Sequence, residues 1–317
     1  MISQKSKAMQ TILVANGTIG SVLAKELTAY TDKIRLVSRN PRKVNESDEL
    51  FPADLSYPAI VEEAVEGSDV VYVVVGFDYN LKVWEEKWPK LIRATIDACI
   101  KHKSRLVFFD NVYMYDINAI SYMTEESLIN PPSKKGVVRK QIAQMIMDEV
   151  KAGKLMALIA RSADFYGPGN ERSFVTEMVY KNFLKGIRAN WFINPDKKHS
   201  FTYTPDAAKA TAMLGNTEDA YNTVWHLPTD KNTLTGREFI KLFAEEMNVA
   251  NKVFVMPAWL IRVVGTFIPI MKEMPEMMYQ YERDYFFDSS KFDRKFKFKT
   301  TSYQEGVKLT VQKGISQ

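Results

Sequence analysis

The stretch Thr11-Ile12-Leu13-Val14-Ala15-Asn16-Gly17-Thr18-Ile19-Gly20 limits what this chain can fold into more than any other. Ile12, Leu13, Val14 and Ala15 form an apolar run too short for a helix and rich in strand formers. Gly17 and Gly20 come next, three positions apart. After them Ile19, Val22, Leu23 and Leu27 fall at helical spacing, with Lys25 and Glu26 on the opposite side. The pattern predicts a buried strand, a glycine turn and a helix. Such a turn lets backbone N–H groups and a helix N-terminus face a pyrophosphate, because side chains there would block the approach. The first glycine of the usual G-x-x-G-x-x-G form would fall at position 14, where the chain has valine. Alone, the stretch fits a strand-to-helix turn without a ligand equally well.

The remainder of the amino-terminal half favours the dinucleotide. Ile34-Arg35-Leu36-Val37-Ser38 reads as a second strand, and an NAD-preferring fold commonly ends this strand in an acidic residue on the ribose 2′-hydroxyl. Here it ends in Ser38-Arg39, with Arg42 and Lys43 close behind. A guanidinium suits a 2′-phosphate, so NADP is the expected cofactor and NAD the alternative. Asp54 comes next, in a loop before a short helix from Pro58 to Glu66. Asp69 to Gly76 is a continuous apolar strand of the kind buried on both faces of a parallel sheet. Leu81 to His102 is helical, and Pro89 predicts a new helix start or a kink there. Strands at 105–109 and 155–160 enclose a helix marked by Val137, Ile142, Met145 and Ile146.

This alternation, through about residue 165, predicts a Rossmann-type α/β fold with a doubly wound parallel sheet. Residues 1–165 would form the dinucleotide-binding domain. Residues 166–317 would form mainly a smaller, mostly helical substrate domain, some segments of which return to the sheet. Ligands of such sheets bind beyond the carboxyl ends of the strands. Gly17, Arg39, Asp54, Gly76, Asn111 and Arg161 all fall at or just past predicted strand ends, and unrelated loop residues would not need to share that edge.

Composition excludes other classes. The 317 residues are 46% hydrophobic and 26% charged, which predicts a substantial core and excludes wholesale disorder. A net charge of +5 without long runs of one sign suits an anionic small molecule better than nucleic acid. The single cysteine, Cys99, sits in an apolar helical pattern and suits a reducing, cytoplasmic location. His102, His199 and His226 lack metal-ligand spacing, so no metal is expected. There is no signal-peptide pattern. The apolar stretch from Val253 to Met271, broken by Pro257, Arg262, Gly265 and Pro269, reads as a buried or interface helix and not as a membrane span.

Taken together, these motifs resemble the extended short-chain dehydrogenase/reductase superfamily, the NAD(P)-dependent epimerase/dehydratase group. Asn16, Gly17, Thr18, Ile19 and Gly20 look like its glycine turn. Asp54-Leu55 matches the pair whose carboxylate holds the adenine amine, and Val74-Val75-Gly76 the strand end lining the nicotinamide ribose. Arg161-Ser162-Ala163-Asp164-Phe165-Tyr166-Gly167-Pro168 looks like the segment beside the nicotinamide. His199 to Tyr203, followed by Asp206-Ala207-Ala208, resembles the substrate-domain motif.

The departures from this family fall on the catalytic positions. The resemblance puts Asn111 where the family has Ser or Thr. Lys135 stands at the position of the acid/base tyrosine, and Arg139 at that of the lysine which lowers the tyrosine pKa and holds the ribose. These replacements fit two readings. In one, Lys135 transfers the proton, Arg139 anchors the ribose, Asn111 polarises a substrate oxygen and Tyr113 can donate instead. The protein is then an oxidoreductase or epimerase-like enzyme acting on a small carbonyl, hydroxyl or nucleotide-sugar substrate. In the other, Lys135 is an exposed first-turn residue, and the protein is an NADP(H)-binding sensor or regulator without turnover. The expected partner is a small-molecule substrate, without nucleic acid or membrane, and by analogy with the family a homodimer.

Overall fold

A computed structural model describes residues 8–314, and in it most of the apolar runs become strands of one sheet. The chain divides into two units that alternate along the sequence. The first comprises Met1–Asp110, Val138–Arg161 and Ala207–Trp225; the second comprises Asn111–Val137, Ser162–Asp206 and His226–Gln317.

The first unit holds β1 (Met9–Leu13), β2 (Ile34–Ser38), β3 (Glu49–Pro52), β4 (Ser68–Val73), β5 (Arg105–Asp110) and β6 (Ala157–Arg161). Later strands are β7 (Asp164–Tyr166), β8 (Ala189–Phe192), β9 (Phe201–Tyr203), β10 (Val224–His226) and β11 (Val253–Met256). The seven-stranded sheet runs β10-β6-β5-β4-β1-β2-β3. Every neighbouring pair from β6 to β3 is parallel. Ile12 at the sheet centre stands opposite Leu36 on one side and Tyr72 on the other. The chain builds outward from β1 through β2 and β3, then restarts at β4 on the other side of β1. That reversal opens a crevice at the carboxyl ends of β1 and β4.

The helices that accompany the sheet are α1 (Thr18–Leu27), α2 (Pro58–Val65), α3 (Leu81–His102) and α4 (Lys134–Lys151). Leu23, Ala24 and Leu27 of α1 are buried, as the helical spacing requires. Asn80 starts α3 by accepting the Val83 N–H at 3.2 Å. No new helix begins at Pro89: α3 runs through it, anchored on both sides by buried Trp84, Trp88, Leu91 and Ile92. β3 carries no periodic apolar signature. It is an exposed edge strand ending in proline, and its register comes from pairing with β2.

In the second unit β7 pairs with β9 and β8 with β11, both in parallel. A π-helical turn, Thr176–Tyr180, leads into α5 (Lys181–Leu184); α6 (Thr204–Gly215) comes after β9. Then come α7 (Gly236–Glu246), α8 (Ala258–Val264), α9 (Pro269–Lys272), α10 (Ser290–Phe296) and α11 (Tyr303–Lys313). Thr235 and Glu238 start α7 as a reciprocal capping box. The core is aromatic: Tyr166, Trp191, Phe201, Phe239, Phe243 and Tyr303 cluster together. α11 lies so close to the Tyr166 ring that only glycine fits at position 306.

The segment from Val253 to Met271 does not form a long buried helix. It is β11 followed by two short helices, because Pro269 cannot continue a helix interior and Gly265 packs its backbone against Lys272. No helix among the described residues is long and apolar enough to cross a membrane.

Candidate functional site

In the first unit, a cavity of about 500 Å³ lies at the strand ends. Val14 and Asn16 contribute from the turn after β1, and Ser38, Arg39 and Asn40 from the end of β2. Ala53 to Ser56 lie just past β3, and Val75 to Asp78 just past β4. Val83, Glu86, Lys87, Lys90 and Leu91 form a wall of α3. Among the residues that the motifs single out, Asn16, Arg39, Asp54, Leu55, Val75 and Gly76 are thus brought together on one cavity. Gly17, Thr18, Ile19 and Gly20 form the turn and the start of α1, outside the cavity lining.

The turn is held by backbone bonds, with the Val14 and Ala15 N–H groups both donating to Val37 O, at 2.8 and 3.1 Å. Val14 replaces the missing glycine without changing the backbone such a turn needs. Its φ of +63° lies in the left-handed region, which costs an L-residue roughly 1–2 kcal/mol. Gly17 is the N-cap of α1 and offers no side chain there. A Cβ at Gly20 would fall 2.5 Å from the Ala15 carbonyl oxygen, so that glycine sets the strand-to-helix spacing. The Asn16 amide ties the turn to the end of β2 by donating to Asn40 O at 2.6 Å.

Several cavity residues carry no sequence signal. Ser38 reads only as the end of a strand, yet its hydroxyl oxygen is buried without a hydrogen-bond partner. Such a group can pair with a polar partner outside the chain, water or ligand. Lys87 and Lys90 lie on the polar side of α3, and nothing in their spacing separates them from an ordinary solvated face. The Asp54 carboxyl is held below the usual carboxylate range by the Ser56 N–H, at 3.0 Å, and secondarily by Arg39 and Lys87. An unpaired hydroxyl, an exposed guanidinium and an anionic carboxylate at one sheet edge fit the adenosine half of a dinucleotide.

Arg139 lies in the first unit too, committed to Asp110. Its Nε donates to Asp110 Oδ1 at 2.7 Å, and Nη2 donates to the same oxygen. Arg161 Nε approaches the other carboxylate oxygen at 3.5 Å. All three side chains are buried, and the Arg139 guanidinium sits over the Trp88 ring at 4.4 Å.

Asn111, Tyr113 and Lys135 belong to the second unit, where the segment carrying Asn111 and Tyr113 reaches the start of α4 at Gly136. Asn111 Oδ1 accepts the Tyr113 N–H at 3.1 Å. The Tyr113 carbonyl lies against Gly136, where a Cβ would overlap it. Ser133 accepts the Gly136 N–H at 3.0 Å. Lys135 is not an exposed first-turn residue: its side chain is 0% exposed. Nζ donates to Glu276 Oε1 at 2.6 Å and to Glu273. Glu273 and Glu276 belong to no motif and stand 138 and 141 positions from Lys135, beyond any local pattern. Burial pushes the nearby Tyr279 hydroxyl up to about 12. In the same unit His199 and Asp164 pair at 3.0 Å, with the imidazole stacked on Tyr285. No cluster of potential metal ligands occurs among the described residues.

These features agree with comparisons to other proteins. A family model described as NAD(P)H-binding matches residues 15–131. UDP-glucose 4-epimerase from Thermotoga maritima, solved with UDP-glucose, superimposes with a TM-score of 0.80 at 16% identity, covering 96% of this chain and 97% of that one. A dTDP-glucose 4,6-dehydratase from Streptomyces venezuelae, solved with NAD, gives 0.78 at 14% identity and 96% coverage of both chains. UDP-glucose 4-epimerase from Thermus thermophilus, in complex with NAD, gives 0.77 at 16% identity, covering 96% of this chain and 98% of that one. No curated protein matches by sequence. Residues 15–131 therefore match an NAD(P)H-binding family, and the chain's fold is the Rossmann-like fold of these epimerases and dehydratases.

Proposed function

We propose that this protein is an NADP(H)-dependent oxidoreductase of the epimerase/dehydratase type, acting on a small carbonyl, hydroxyl or nucleotide-sugar substrate in the cytoplasm. The observation that carries the reading is the first-unit cavity, where the unpaired Ser38 hydroxyl, Arg39 and Asp54 share one edge. Asn16 to Gly20 would hold the diphosphate on backbone amides. Ser38 and Arg39 would hold a 2′-phosphate, for which the end of β2 offers no competing carboxylate. Asp54 and Leu55 would flank the adenine, and Val75 and Gly76 the ribose beyond it.

When bound, the nicotinamide supplies or accepts a hydride. The protein's part is to orient the substrate and move a proton. Lys135 is the proposed proton carrier: its ammonium donates to a substrate oxygen, and the Glu273 and Glu276 carboxylates stabilise the charged form between turnovers. Asn111 would polarise the same oxygen, with Tyr113 as a second donor. Arg139, held by Asp110, would meet the ribose only by sharing its remaining N–H groups.

That Asp110 grip favours a second reading, a dinucleotide-binding sensor without turnover. Titration with NADPH and NADH, followed by a panel of carbonyl and sugar-nucleotide substrates read by loss of NADPH absorbance, separates the two. Tight binding with turnover supports the enzyme. Tight binding with silence across the panel supports the sensor, and no binding of either nucleotide ends both.

A further inference from the structure

The hairpin formed by α8 and α9 presents its apolar side chains outward. Trp259 is 64% exposed and Phe267 83%; Val263, Ile268 and Ile270 are exposed as well. These are five of the fourteen exposed large hydrophobic residues among those described, so the exposure is clustered and not the scatter normal on a soluble surface. Only Ile261 and Met271 of the two helices turn inward to full burial. Gly265 folds the hairpin by letting its backbone approach Met271 and Lys272, and Phe267 and Ile268 form the connection. Trp259 and Val263, four apart on α8, share one side of that helix.

The charges of this segment have one sign. From Pro257 to Lys272 there is no Asp or Glu, while Arg262 and Lys272 are both exposed. The next acids in the chain, Glu273 and Glu276, are engaged with Lys135. A second copy of the chain docking face to face here would set Arg262 and Lys272 against their own like charges, with no acid in the segment to pair them. An anionic lipid surface would pair both cations and take up the indole, phenyl and isoleucine side chains at headgroup depth.

We propose that the hairpin of α8 and α9 is a peripheral docking site for an anionic bilayer surface, in which Trp259, Phe267 and Ile270 insert and Arg262 and Lys272 contact headgroups. The expectation of no membrane partner rests on the lack of a span, and lying on a surface requires none. This proposal is independent of the catalytic reading.

The test is co-sedimentation of the full chain with vesicles of phosphatidylcholine containing phosphatidylglycerol, and with vesicles of phosphatidylcholine alone. Binding to the anionic vesicles, weakened by added salt, is expected. Replacing both cations in Arg262→Gln/Lys272→Gln should weaken it by about thirty-fold, from the contribution of each surface cation. Trp259→Ser/Phe267→Ser should abolish it with an unchanged circular dichroism spectrum, since both side chains lie outside the core. The proposal is overturned by three outcomes. They are absence of wild-type binding, binding indifferent to both double substitutions, and a wild-type dimer that Phe267→Ser dissociates, which would assign the face to a second copy.

Discussion

One carboxylate, that of Glu276, holds both Lys135 and the helix that carries it. Oε1 accepts from Lys135 Nζ at 2.6 Å, while Oε2 accepts the Lys134 N–H at 2.8 Å. A negative charge at a helix N-terminus satisfies free backbone donors and the helix dipole together. Lys135 is thereby fixed in position beside a counter-charge.

Lys135→Ala is accordingly expected to abolish turnover of any substrate the panel identifies while leaving NADPH affinity unchanged. Steady-state kinetics beside a binding titration measure the two separately. Wild-type activity in this variant would end the role assigned to Lys135.

Arg39→Ala should weaken NADPH binding by about 10- to 100-fold, the range for losing a charge-assisted hydrogen bond of roughly 1.5–3 kcal/mol, with NADH binding unchanged. Equal losses for the two nucleotides would mean that Arg39 does not read the 2′-phosphate.

Arg139→Met leaves the buried Asp110 carboxylate without its two-pronged donor, which should cost roughly 3–5 kcal/mol. Thermal unfolding should show a large fall in Tm. Adding Asp110→Asn takes away the carboxylate that the buried Arg161 guanidinium also approaches and should deepen the loss; recovery would mean that the carboxylate carries the cost and Arg161 does not need it.

Val14→Gly should raise stability by about 1 kcal/mol, because relief of left-handed strain exceeds the greater chain entropy of glycine in the unfolded state. Denaturant unfolding checks the sign. A destabilised variant would show that the Val14 methyl groups contribute more than its backbone costs.

Much of the first unit is legible in the sequence for a physical reason. Strand segments buried on both faces, such as 70–74 and 106–109, must be almost wholly apolar, and helices such as α1 must repeat near 3.6 residues. β3 is invisible there because pairing with β2, and no pattern of its own, makes it a strand. At the cavity, glycines and a conspicuous arginine announce themselves. Ser38 does not, since a strand-end serine looks the same whether or not its hydroxyl has a partner. Glu273 and Glu276 are beyond reach: no local rule couples a helix start to acids 138 and 141 positions later. The apolar stretch from Val253 to Met271 is conspicuous in the sequence, but its outward orientation depends on how the hairpin folds against the rest of its unit.

The contact between Gly306 and Tyr166 bears on how the protein is made. Tyr166 and Phe201 meet their last neighbours only in α11, where Tyr303 also accepts the Phe201 N–H at 3.0 Å. A ribosome must therefore release the chain as far as Gly306 before this aromatic cluster can close, and until then the nascent chain exposes rings that chaperones recognise. Carboxyl-terminal truncation short of α11 should leave such a product permanently in that unfinished condition.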